Sequence, residues 1–173
     1  MGTHLFNLRE FRNSLSRFAT GVTVVTALQN GKVHGMTANA FVSVSLDPPL
    51  VLVSLNNRSH MHRILPAVGR YGISVLAEDQ KALSDHFAGR PIGETNIRFI
   101  DRAEAALLDG ALAHFAVKVL RRHSVGDHTL YLGRVEHFEY REDNPLLFYA
   151  GGYERLLIRG SSGRKRLSRL RTK

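Results

Sequence analysis

The sequence predicts a mainly β chain, a barrel with peripheral helices, and three observations point there. The 173 residues, 43% of them hydrophobic, supply one real core and too little chain for two full-sized domains. Seven or eight short runs rich in β-branched and aromatic residues recur between turn residues. Only two or three stretches carry a helical period, which with the many short strands favours a barrel over a doubly wound α/β sheet.

The elements follow in order. Phe6, Leu8, Phe11, Leu15 and Phe18 fall on one helical face with Arg9, Glu10, Arg12 and Asn13 between them, predicting an amphipathic helix over 7–18 that packs against the barrel. The run 21–28 is β-branched almost throughout, and Asn30-Gly31 is a strong hairpin signal that places a partner strand at 32–37. Residues 41–46 alternate, Asp47-Pro48-Pro49 forces a turn, and 50–55 is a nearly unbroken apolar strand expected to be buried on both faces. Asn56 to Ser59 carry capping chemistry for a short helix ending near Pro66, and 71–76 returns as a strand, giving a strand–helix–strand crossover. Residues 79–87 read as a helix closed by Gly89 and Pro91, while 90–106 are too mixed to assign. Two long strands, 112–122 and 128–140, flank Gly126-Asp127, and 146–149 forms one more before Gly151-Gly152.

The formal net charge of +9 invites a nucleic-acid reading, but its distribution argues against one for the folded body. Residues 159–173 hold seven of the basic residues and no acid, leaving seventeen bases against fifteen acids elsewhere. The division expected is therefore a domain over 1–158 and a basic, flexible tail over 159–173. The absence of cysteine removes disulfides, iron–sulfur clusters and thiol nucleophiles, and fits a reducing compartment. No apolar run approaches about 18 residues and the N-terminus lacks a signal-peptide pattern, so a cytoplasmic location off the membrane is expected.

Several segments have the residue types for chemistry. Gly35 to Ala40 joins small residues to hydroxyl and amide groups between two strands, which suits close backbone approach to a flat, polar-edged ligand; a tight strand connection explains the same residues. Ser54 to Ser59 leads from a strand into a helix N-terminus, where free N–H groups favour a phosphate and Arg58 adds charge, although an ordinary N-cap is the simpler account. His128, after Gly126-Asp127, stands where an imidazole meets a substrate amide or phosphate, or where a plain turn sits. His60 and His62 face apart on a helix, and His123 and His128 lack further ligands at metal spacing, so no metal site is expected. Tyr149 and Tyr153 flank Gly151-Gly152 as ligand covers or as core aromatics. No dinucleotide fingerprint, P-loop or nucleophile elbow is present, so the usual Rossmann route to a dinucleotide is absent.

Taken in order, the stretches FRNSLSRFATGVTVVT (11–26), GMTANAFVSVSLDPPLV (35–51), SDHFAG (84–89), GDHTLYLG (126–133) and PLLFYAGGYERL (145–156) resemble the short-chain flavin reductase family. These are FMN-binding split barrels that serve as the small components of two-component flavin monooxygenases. The resemblance spans roughly residues 8–156 and implies a homodimeric split barrel. It places Thr37, Ala38, Asn39 and Ala40 along the isoalloxazine ring, mostly through backbone groups. It places Ser54, Asn56 and Ser59 on the ribityl and phosphate groups, and Ser84 and Phe87 in the same pocket. It sets His128 against the nicotinamide nucleotide and Tyr153 over the cofactor cleft. Ala40 stands where the family often has Ser, and the basic tail lies outside the pattern.

The implied activity is hydride transfer from NADH or NADPH to FMN or FAD, with reduced flavin passed to a separate oxygenase. The chemistry belongs to the two ligands, so no acid–base pair is needed; the protein holds nicotinamide C4 about 3–3.5 Å from flavin N5. Two alternatives stand beside it. One is a flavoprotein with tightly bound FMN that reduces another acceptor. The other is a non-enzymatic flavin carrier whose tail binds nucleic acid.

Overall fold

The computed structural model describes residues 6–90 and 97–156. The expected tail at 159–173 lies outside the described residues, as does Pro91. After a helix α1 (Leu8–Leu15) come β1 (Thr20–Gly21), β2 (Thr23–Gln29), β3 (Lys32–Ala38), β4 (Phe41–Leu46) and β5 (Pro49–Asn56). Helix α2 (His60–Val68), β6 (Arg70–Val75), a 3-10 turn at Glu78–Gln80 and α3 (Lys81–Phe87) follow. The chain continues through β7 (Phe99–Arg102), β8 (Ala105–Leu108), β9 (Ala113–Val125), β10 (His128–Tyr140), β11 (Leu147–Tyr149) and β12 (Gly152–Glu154).

Seven strands form one antiparallel sheet in the order β3-β2-β6-β9-β10-β5-β4. Its edge strands, β3 and β4, are joined by Asn39 and Ala40 alone, so the sheet must curl until its edges meet. The result is a barrel split between β3 and β4, where the Ser54 N–H donates to the Ala40 carbonyl at 3.1 Å. The hairpin turn is the one its sequence specifies: Asn30 and Gly31 both have positive φ, 52° and 73°.

The barrel interior is packed by Val25, Val51, Val53, Leu55, Ile73 and Tyr131, and α2 plugs it with Met61, Ile64 and Leu65. Ser59 caps α2 by accepting from the His62 N–H at 3.1 Å, and Gly69 ends it in the left-handed region. The helix runs through Pro66 rather than ending there. A proline at 66 leaves the His62 carbonyl without its helical donor; the Tyr131 hydroxyl donates to that oxygen at 3.3 Å and also bonds His62 Nδ1 at 2.8 Å.

Other expectations need correction. Strand β5 is buried on one face only, with Val51, Val53 and Leu55 inward and Leu50, Leu52 and Ser54 half-buried outside, because the barrel lines one side of it. The strand–helix–strand crossover is present, from β5 through α2 to β6, and it passes over β10 and β9. Among the described residues twelve strands are present rather than seven or eight. The four not expected (β1, β7, β8 and β12) span two to four residues, too short to show a period, and β7 with part of β8 falls in the stretch that resisted assignment.

Strands β7 and β8 form a separate hairpin against the outside of β2 and β6. It is tied down where the Thr26 hydroxyl donates to the Ala106 carbonyl and the Leu108 N–H donates to Ser74 Oγ at 2.9 Å. A second apolar cluster, centred on Val22, Val24, Leu76, Leu108 and Leu146, takes in Phe87, Phe99, Phe148 and Tyr153. It joins α3 and the small β1-β11-β12 sheet to the barrel wall. Helix α1, by contrast, buries no residue. Asn7 caps it, accepting from the Arg9 and Glu10 N–H groups at 3.0 and 3.2 Å, yet Leu8, Leu15 and Phe18 are 75%, 59% and 79% exposed. Its apolar face is not packed on the barrel as the pattern suggested.

Candidate functional site

A cleft of about 200 Å³ opens beside the barrel's split, where β3 ends. Its walls come from Thr37, Ala38 and Asn39 on one side, Ser84 of α3 with Ala88 and Arg90 beyond it on another, and Phe148 and Tyr153 on the third. Helix α3 sits close because β3 has glycine at 35: a Cβ there would lie 2.4 Å from Phe87 Cε1. Phe87 therefore packs on the backbone of β3, with Phe99 at 6.4 Å between centroids, and is not among the cleft walls. Ala40 lines a larger adjoining groove of about 680 Å³ between the split and α1, and Asn39 and Phe148 are shared by the two.

Hydroxyl protons around the small cleft are committed inside the protein. Thr37 donates to the Ser84 carbonyl at 2.7 Å, and Tyr153 donates to Asp85 Oδ1 at 3.3 Å. With the Tyr153 proton spent, the 2.8 Å contact between Ser84 and Tyr153 has Ser84 as donor. Asp85 also pairs with Lys81 and, at 2.9 Å, with Arg90. Lys81, then Arg90 and Tyr153, hold the Asp85 carboxyl below the usual carboxylate range against a smaller opposing effect of burial. Lys81 Nζ lies 5.0 Å over the Tyr153 ring, which also meets Phe148 edge-on at 5.6 Å.

The connector offers the opposite complement. The carbonyls of Asn39 and Ala40 accept from the Phe41 and Ser54 N–H groups, whereas their own N–H groups find no acceptor among the described residues. Small side chains at 38 and 40 leave that backbone open to a flat ligand. Two free donors beside the Thr37 lone pairs match a heterocycle edge that alternates carbonyl and N–H, as isoalloxazine does. The residues present fit a flavin.

The second half of the predicted set lies along the end of β5. Leu130 faces Ser54 and His128 faces Asn56 across the β5–β10 ladder, so Ser54, Asn56 and His128 share the outer face of the sheet. Asn56 Oδ1 accepts from the Arg58 N–H at 2.8 Å, and Ser59 is occupied as the α2 cap. His128 Nδ1 lies 2.7 Å from Asp127 Oδ1, which orients the ring. Asp127 is held below the usual carboxylate range, mainly by that hydrogen bond. The structure thus gathers Thr37, Ala38, Asn39, Ser84 and Tyr153 in one cleft, with Ala40 and Ser54 bonded at its edge. Asn56, Ser59 and His128 stand two or more residues further along.

Three residues of this arrangement were not singled out from sequence. Asn57 links the two lips: its N–H donates to the Asp127 carbonyl at 2.9 Å, and its Oδ1 accepts from the buried Thr129 hydroxyl at 2.7 Å. Asp85 and Arg90 form the ion pair at the cleft. The Asn56-Asn57 doublet after a strand was a visible signal, whereas nothing local distinguishes Asp85 or Arg90. No group of three or more metal-ligating side chains occurs among the described residues; the His60 ring meets that of His34 at 4.8 Å between centroids, tilted by 55°.

Comparison with known proteins follows this geometry. A sequence model described as a flavin reductase like domain matches residues 15–157. A Rhodococcus NADH-dependent flavin reductase is 50% identical over 152 residues, covering 86% of each chain. Among solved structures, the flavin reductase PheA2 in its native state superimposes with a TM-score of 0.86 at 42% identity, over 88% of this chain and 100% of that one. The styrene monooxygenase flavin reductase of Pseudomonas putida gives 0.80 at 41% identity, over 86% and 97%.

Proposed function

Since the chain belongs to the flavin reductase-like domain family, we propose that it oxidises NADH, or NADPH, and reduces FMN or FAD, releasing reduced flavin to a partner monooxygenase. The observation that carries this is the connector at Asn39 and Ala40, two free backbone donors beside a small cleft at the barrel's split. Hydride passes between the two ligands, which supply the redox chemistry. The chain's part is to hold and align them. Thr37 to Ala40 grip the ring edge, Ser54, Asn56 and Ser59 take the ribityl and phosphate end, and His128, oriented by Asp127, meets the nicotinamide nucleotide. Free N–H groups at the connector also stabilise the negative charge that grows along the ring's N1–C2 edge. The named activities of the Rhodococcus and styrene monooxygenase relatives support the same reading.

A second copy of this chain is the partner that the exposed apolar surface fits. Leu15 on α1 and Phe18 just after it, with Val42, Val44 and Leu46 on β4, face solvent in a single chain, and burying such a surface favours association. Sedimentation should give a dimer, and Leu15→Glu with Val42→Glu should give a monomer; a wild-type monomer at micromolar concentration refutes this part. No helix among the described residues is long and apolar enough to cross a membrane, and the cysteine-free composition supports a cytoplasmic site of action. Purified protein mixed anaerobically with NADH and excess FMN should oxidise many equivalents of NADH; a single slow equivalent would favour a bound prosthetic flavin instead.

A further inference from the structure

We infer that Arg90, steadied and partly neutralised by Asp85, sets how much more tightly the cleft holds reduced than oxidised flavin. The inference rests on the flavin reading of the cleft given above. Donor accounting leads to it. Thr37, Ser84 and Tyr153 all spend their protons inside the protein, so towards the cleft they offer lone pairs only. Donors to a ligand are then the Asn39 N–H and side-chain amide and the guanidinium of Arg90 in the cleft, with the Ala40 N–H at its edge.

Among the described residues, Arg90 is the single cationic side chain that lines this cleft. Its position is fixed twice: its N–H donates to the Asp85 carbonyl at 3.0 Å, and Nη2 lies 2.9 Å from Asp85 Oδ1. With 70% of its side chain exposed, the guanidinium keeps other donors free for a ligand.

Charge decides the consequence. Hydride transfer brings two electrons and one proton to the flavin, leaving negative charge on the N1–C2 edge until a second proton arrives. A fixed cation at the cleft favours that state over the neutral oxidised ring. Left unopposed, such a cation would retain the product that a two-component system must release. Asp85 offsets it, and is itself clasped by Lys81 and Tyr153, so the pair is built into α3 and β12 rather than adrift in solvent.

The test compares FMN in its two redox states, by anaerobic titration of wild type, Arg90→Gln and Arg90→Lys. In Arg90→Gln the affinity for dithionite-reduced FMN should fall about tenfold more than that for oxidised FMN, and Arg90→Lys should recover part of the difference because it keeps the charge. Asp85→Asn should move the ratio the other way. The proposal is overturned if the ratio in Arg90→Gln stays within about twofold of wild type, whether both affinities fall together or neither moves. Ala38→Trp, which fills the cleft, separates the two failures: if it leaves FMN binding intact, the flavin reading of the cleft falls and this proposal with it.

Discussion

Replacing Gly35 by alanine builds a methyl group 2.4 Å from Phe87 Cε1 and 2.5 Å from Cδ1. Carbon atoms in good contact sit about 3.5–4.0 Å apart, so the ring must retreat by roughly 1 Å or more. It has little room, with His86 at 5.0 Å and Phe99 at 6.4 Å between ring centroids, so α3 moves with it. The Thr37 hydroxyl bond to Ser84, 2.7 Å long, then passes out of range. Overpacking of this kind costs about 1–3 kcal/mol and the lost hydrogen bond about 1 more, so urea unfolding should show a loss of about 2–4 kcal/mol with m unchanged. Affinity for FMN should fall as well, since Ser84 carries one wall of the cleft. Phe87→Leu in the Gly35→Ala background should restore the Thr37–Ser84 contact, recover most of the FMN affinity, and bring stability near that of Phe87→Leu alone. If Gly35→Ala unfolds and binds like wild type, or if Phe87→Leu rescues nothing, the claim that β3 seats α3 through this glycine is wrong.

Other expectations concern the two lips and the clasp. Thr129→Val removes the donor to Asn57 Oδ1 at a buried position; it should cost about 1–2 kcal/mol in denaturant titration and raise KM for NADH, and an unchanged KM would mean that Asn57 does not hold the His128 turn. His128→Ala should lower kcat/KM for NADH about tenfold while oxidised FMN still binds within about twofold of wild type; unchanged NADH kinetics would remove His128 from the nicotinamide site. Asp85 sits below the usual carboxylate range when folded, so its stabilising effect is complete above the unfolded value and is lost as pH falls through the lowered one. Wild type should therefore lose stability at the acid end more steeply than Asp85→Asn, and parallel acid limbs in thermal melts would refute the clasp.

What the sequence made legible was local. The Asn30-Gly31 turn, the Ser59 cap and the strand over 128–140 each depend on neighbouring residues, and each is found. What it hid depends on partners far along the chain. Pro66 reads as a helix end until the Tyr131 hydroxyl is seen to satisfy His62 from another strand. Strand β8, Ala105–Leu108, is buried throughout, so it carries no alternation to read. The apolar stripe of α1 is real, but it does not pack on the barrel. The site divides the same way. Thr37, Ala38, Asn39, Ser84 and Tyr153 line one cleft, Ala40 lies in the groove beside it, and the Asp85–Arg90 pair and the contact of Asn57 with Thr129 appear only in the folded geometry.

The central claim is most directly tested by anaerobic stopped-flow oxidation of NADH and NADPH by the purified chain, with free FMN and free FAD supplied in turn. Repeated turnover with at least one pair, and reduced flavin recovered in the protein-free filtrate, is the expected result. Absence of turnover with all four pairs at millimolar nucleotide and flavin, from protein that is folded, would contradict it.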